Sequence, residues 1–143
     1  MAGYMRKLQG HVYDGAHIAA EELTNGLFVE INAEGKVAKT AAAKDTVLRV
    51  AEQTELWGMP AIVADVVSVG ADEVFFVENE WEIYRDKDYN TAEYAVPAGH
   101  YVKMHRPLPG EQLIFTVAEE LYATLTEGVK IKPAAKGTVV AAA

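Results

Sequence analysis

The chain has 143 residues, of which 50% are hydrophobic and 24% charged, with no Cys and a formal net charge of −8. That length suits one domain of ordinary size, and the hydrophobic content excludes intrinsic disorder. The missing Cys removes disulfides, thiolate zinc ligands and Cys nucleophiles, and the acidic balance argues against nucleic acid or an anionic membrane as partner.

Residues 1–10 read as an N-terminal arm. Tyr4, Met5 and Leu8 are apolar anchors too few to build a core element, and Arg6 and Lys7 add basic charge to an acidic chain. Such termini fray when free. This one is expected to order only on binding, in a groove on a partner or neighbouring subunit, with Tyr4, Met5, Arg6, Lys7 and Leu8 as the contact residues. No apolar stretch follows the basic pair, so a secretory signal is not expected, and no run approaches the ~20 residues of a membrane helix.

From residue 11 to 143 the chain reads as a single β-rich domain, alternating in polarity and punctuated by Gly, Asn and Pro. Residues 26–32 and 36–40 flank Ala33-Glu34-Gly35 and predict a hairpin whose Gly supplies a positive φ. Residues 41–55 are rich in Ala and Glu, yet Val47, Val50 and Thr46 weaken a helix there, so both helix and a strand over 47–51 stay open. Further strands are expected over 62–69, 74–77, 94–96, 101–104, 112–117, 129–132 and 138–141, with turns at Pro97-Ala98-Gly99 and Pro107-Leu108-Pro109-Gly110. Residues 118–124 are the other short helix candidate. The fold class is therefore all-β, an antiparallel barrel or sandwich with at most one or two short helices, and α+β is the alternative. A central segment, 72–93, carries a net charge of −6 among Phe75, Phe76, Trp81, Tyr84 and Tyr89. It reads as a solvated acidic face, with an interaction surface as the alternative.

The residues that bear chemistry do not form a known motif. Ser68, the only serine, lacks a Gly-x-Ser-x-Gly elbow, and His11, His17, His100 and His105 lack His-Glu-x-x-His spacing. Asp86-Lys87-Asp88-Tyr89-Asn90 opens like a calcium loop, but Thr91 and Pro97 stand where Gly and a bidentate Glu would complete it, so a polar turn is expected. Glu80 and Glu82 have no perturbing neighbour in the sequence that would mark them as an acid–base pair. No catalytic, cofactor or metal residue is assigned, and no cofactor is expected.

An internal repeat stands out. Leu23-Thr24-Asn25-Gly26 matches Leu125-Thr126-Glu127-Gly128, Val29 and Ile31 match Val129 and Ile131, and Gly35-Lys36-Val37 answers Gly137-Thr138-Val139. Each copy reads as turn, strand, Gly-containing loop, strand, and the two hairpins are expected to close one sheet or barrel. Through these Leu-Thr-x-Gly turns and hairpins, together with Gly110-Glu111-Gln112-Leu113-Ile114-Phe115 and the small-residue end Ala141-Ala142-Ala143, the chain resembles the small decoration (cement) proteins of tailed-bacteriophage capsids. The resemblance implies a non-enzymatic virion protein, made in the host cytoplasm, that binds the major capsid protein on the outside of the shell. It also implies clustering as a homo-oligomer, a trimer above all. Another β-rich module of a phage tail or head-completion complex, a cellular adaptor, or a small enzyme with an unrecognised site are the alternatives.

Overall fold

The computed structural model describes residues 3–7, 13–78 and 95–142. Leu8, His11, the 86–90 loop and most of the acidic centre lie outside that range. Among the described residues thirteen strands run in chain order: β1 (Gly3–Lys7), β2 (Tyr13–Asp14), β3 (Leu23–Thr24), β4 (Phe28–Ile31), β5 (Val37–Lys39), β6 (Val47–Leu56), β7 (Met59–Ser68), β8 (Phe75–Val77), β9 (Ala95–Val96), β10 (Met104–His105), β11 (Gln112–Thr116), β12 (Lys130–Pro133) and β13 (Val139–Ala141). A single helical turn, α1 (Glu119–Tyr122), and a 3-10 turn at Ala135–Gly137 are the only helical pieces among the described residues. The all-β expectation holds, as a sandwich and not a closed barrel. The helix considered over 41–55 is instead β6, where Val47, Leu48 and Val50 pair with Ser68, Val66 and Ala64 of β7. Pairing and burial outweigh the local Ala and Glu content there.

Two antiparallel sheets make the sandwich. The larger has the order β1-β11-β7-β6-β12-β13 and the smaller β2-β10-β8-β4-β5, while β3 and β9 pair separately. Between the two sheets lies the main core. Phe28 and Phe76 from the smaller sheet meet Phe115 from the larger, with ring centroids 5.3–6.1 Å apart. Leu48, Val50, Ile62, Ala64, Leu113 and Ile131 fill the space around them. The smaller sheet is apolar on its other face as well, because Val29, Val37, Phe75, Val77 and Met104 bury against Ala19, Leu23, Leu27, Val96 and Val102. A sheet covered on both sides explains why β8 reads as an unbroken apolar run and not as an alternation.

The repeat is visible in three dimensions. Hairpin β4–β5 ends the smaller sheet and hairpin β12–β13 ends the larger one, so each copy forms the rim of a different sheet. Gly26 and Gly128 share φ near 90° (87° and 91°), and Gly35 and Gly137 share φ near 75° (77° and 72°). The core roles cross over, however. Val29 is fully buried where Val129 is partly buried, and Ile131 is fully buried where Ile31 is partly buried. The two hairpins also interlock. A Cβ on Gly137 would stand 2.8 Å from the Phe28 carbonyl oxygen, Lys44 N–H donates to the Pro133 carbonyl, and the Thr40 hydroxyl donates to that of Ala134.

Gly3–Lys7, expected as part of an arm that orders on binding, is paired within the chain itself as β1 on the edge of the larger sheet. Gly3 starts it because nothing larger fits: a Cβ there would fall 2.7 Å from the Ile114 carbonyl oxygen and 2.8 Å from the Gly26 Cα. Met5 points inward and packs against the main core.

Candidate interaction surface

The alternation of β1 sorts the expected contact residues. Tyr4 stands opposite Ile114 of β11 on the outer face of the larger sheet, while Met5, opposite Leu113, faces the core. Arg6 returns to the outer face, where its Nη1 lies 3.6 Å from Glu52 Oε1 of β6. Lys7 pairs with Gln112 in the backbone register. Leu8 lies outside the described residues. The structure thus brings Tyr4 and Arg6 together and turns Met5 away.

A hairpin tip completes this face. β6 and β7 pair up to Leu56↔Met59, leaving Trp57-Gly58 as a two-residue turn in which both residues have positive φ, 49° and 76°. That is the type I′ pattern, whose first position favours Asn. A Trp in the left-handed region costs about 1–2 kcal/mol. Trp57 is 52% exposed, and its ring meets that of the 36% exposed Tyr4 edge-on, with centroids 6.5 Å apart and planes at 61°. Such a contact contributes about 0.5–1.5 kcal/mol, roughly enough to offset the strain and no more.

Beneath the pair is a second apolar cluster, Leu56, Ala61, Val63 and Ile114, joined by Ala51 and Met59. Polar groups frame it: the Arg6–Glu52 pair and a 2.8 Å hydrogen bond from Gln112 Nε2 to Asp65 Oδ1. Beyond Met59 an apolar cleft of about 470 Å³ runs under α1, with Pro60, Phe115, Val117, Leu121 and Val139 among its walls. Its volume is in the range of small-ligand pockets.

One carboxylate ties β1 to the smaller sheet. Glu78 Oε2 accepts the Met5 N–H at 3.2 Å and lies 3.2 Å from His105 Nε2 of β10. Its side chain is only 20% exposed, so an edge-strand donor that would otherwise face solvent is satisfied within the chain. The other residues singled out from the sequence are scattered. Ser68 is exposed at the end of β7, His100 is exposed in the turn that follows Pro97, and His17 precedes the isolated Ile18↔Tyr101 bridge. Among the described residues no three of His, Asp and Glu gather as a metal site, and no helix is long and apolar enough to cross a membrane. Pro107-Leu108-Pro109-Gly110 is a turn, closed by Glu111 N–H donating to the Leu108 carbonyl and by the buried Glu111 carboxylate accepting from Leu108 N–H at 2.7 Å. Trp57 escaped the sequence reading. Its signal was a Trp-Gly pair placed between two alternating runs that each fit a strand. No protein-family model, curated protein or solved structure matches the chain.

Proposed function

We propose that this is a non-enzymatic virion structural protein that binds the outer surface of a phage capsid and stabilises it, with the major capsid protein as partner. The observation that carries the reading is the Tyr4–Trp57 pair on the outer face of the larger sheet, one ring on an edge strand and the other on a strained turn. Exposed aromatics over an apolar floor with a polar frame are the composition of a protein-contact surface. Two further features agree with it. The Leu-Thr-x-Gly hairpins that carry the resemblance to decoration proteins form the rims of both sheets, and strain of this kind is retained where a function needs the side chain on display. Self-association on the shell, as a trimer or another small oligomer, belongs to the same reading.

Co-sedimentation with purified capsids tests it. Protein added to shells free of it is expected to pellet with them at a saturable ratio and to raise the temperature at which they break. Protein that stays in the supernatant at every shell concentration would refute the reading.

A further inference from the structure

We infer that Arg49, Lys130 and Lys132, on the outer face of the larger sheet, form a cationic docking patch for a carboxylate-bearing surface of the protein to which that face binds. The inference deepens the capsid-binding reading and rests on it for the identity of the partner. The parity of the ladder places the three side chains. Leu48 and Ile131 pair with one another and point into the main core, so Arg49 on β6 and Lys130 and Lys132 on β12 point the other way. That is the face that also carries Tyr4. Arg49 and Lys130 stand directly opposite each other, and like charges so placed weaken a ladder. Lys132 lies two residues along, opposite the exposed Val140 of β13.

What sets these cations apart is that no carboxylate of the chain engages them. Arg6, Lys36, Lys39, Lys44 and Arg106 each have a carboxylate oxygen within 4.0 Å. Among the described residues, Arg49, Lys130 and Lys132 make no such pair. Asp65 stands across from Arg49 on β7, but its Oδ1 accepts from Gln112 Nε2 at 2.8 Å. A chain with 21 acidic residues and 13 basic ones has carboxylates to spare, yet leaves these cations side by side without one. Carboxylates from a partner relieve that repulsion and add charge-assisted hydrogen bonds, bidentate at the guanidinium. Protein carboxylates suit the patch better than polyphosphate does. It is small, it is bordered by the exposed Val67 and Val140, and the overall charge of −8 repels nucleic acid at longer range. The same overall charge opposes a second copy as the occupant. The outer face is thereby zoned. It is aromatic at β1 and the Trp57 turn, internally paired in the middle by Arg6–Glu52 and Gln112–Asp65, and cationic at β6 and β12. β12 is four strand spacings from β1 in the sheet order, so the partner presents its acidic patch about 19 Å from its contact with Tyr4.

Two arms test this separately from the capsid-binding reading. In the first, a capped hexapeptide of alternating Asp and Glu is titrated into the isolated protein while backbone amides are followed by NMR, with the matching Asn and Gln hexapeptide as neutral control. Saturable shifts at Arg49, Lys130, Lys132 and Val140, absent with the neutral peptide and lost in Lys130→Glu with Lys132→Glu, are expected. Equal shifts from both peptides, shifts confined to other residues, or none would overturn the patch. A DNA duplex that binds these residues more tightly than the acidic peptide at physiological salt would give the patch another occupant and overturn it too. In the second arm, capsid co-sedimentation is repeated with charge variants. The double Glu variant sets opposite charges across from Arg49, so its Tm should equal or exceed that of wild type while capsid affinity falls about tenfold or more. Lys130→Arg with Lys132→Arg should keep the affinity, and Lys36→Glu, on the rim of the smaller sheet, should change it by less than about twofold. Lys130→Gln with Lys132→Gln should bind more weakly, with an affinity that falls less steeply as salt is raised. Wild-type protein that pellets while the double Glu variant pellets equally well would overturn the inference and leave the capsid reading intact. Wild-type protein that binds the acidic peptide at this patch but not capsids would do the reverse. Self-association of wild type in sedimentation velocity that the double Glu variant abolishes, with capsid binding unchanged, would assign the patch to a second copy and overturn the inference.

Discussion

The crossed core roles of the two repeat copies give the sharpest test of the packing. Ile131, fully buried between the sheets, and Ile31, partly buried on the far side of the smaller sheet, occupy matching places in the repeat. Replacing Ile131 with Ala removes buried carbon groups worth about 0.8 kcal/mol each, about 2.4 kcal/mol in transfer. The core that holds it is fixed from both sheets, by Leu48, Phe115 and Val139 of the larger and Phe28 and Phe76 of the smaller, and cannot collapse freely, so a cavity contribution of about 1 kcal/mol adds to it. The expected loss is therefore about 3–4 kcal/mol. At Ile31 part of the side chain already meets water and the gap fills with solvent, so the loss should be about 1–1.5 kcal/mol. Urea unfolding at 25 °C, followed by far-UV circular dichroism, reads both from the midpoint shift, provided the slope is unchanged. Equal losses at the two sites would show that the copies share one kind of core position, and a loss below about 1.5 kcal/mol at Ile131 would refute the tight two-sheet packing.

Other perturbations probe single contacts. Gly137→Ala meets both a left-handed φ of 72° and the Phe28 carbonyl at 2.8 Å, so it should cost well over the about 1–2 kcal/mol that Gly35→Ala costs at a φ of 77° in open space; thermal melts of the two variants compare them. Glu78→Gln weakens a charge-assisted acceptor, and amide exchange at Met5 should speed up about tenfold while exchange across the β6–β7 pairs is unchanged. Deleting residues 1–8 should lower the Tm of the free protein by several degrees, because it removes β1 from β11 and uncovers the core beside Met5; an unchanged melt would mean that β1 contributes nothing to the free fold.

Most of the β architecture was legible because its strands alternate and its turns carry Gly or Pro in the right places. Strands β7, β11 and β12–β13 lie close to where periodicity put them, and the 32–36 loop closes as expected, with Gly35 N–H donating to the Asn32 carbonyl, while β6 falls in a segment whose composition left helix and strand both open. Three things were hidden. Strand β1 is five residues long and carries two basic side chains, so only its partner β11 reveals that it is a strand. Strands β2 and β3 are two residues each, below the length at which any periodicity exists. The Trp57-Gly58 turn uses a residue that turn chemistry disfavours, and a rule built on preference misses a position held against it. Tyr4 and Arg6 were singled out by residue type alone, but their separation from Met5 needed the pleat of a strand that the sequence did not announce.

The pairing of β1 with β11 has a consequence for the birth of the protein. Gly3 meets Phe115, so β1 leaves the ribosome and then waits for a partner made more than a hundred residues later. At about 5–20 residues per second that delay is on the order of 5–20 s, longer than a hairpin such as β6–β7 needs to form. Throughout that interval Tyr4 and Met5 hang from an unpaired segment, and neighbouring nascent chains on one message carry the same segment. Arg6 and Lys7 follow directly, where a pair of like charges discourages two such segments from zipping together. The basic pair thus guards the newborn chain before Arg6 finds Glu52 in the finished one.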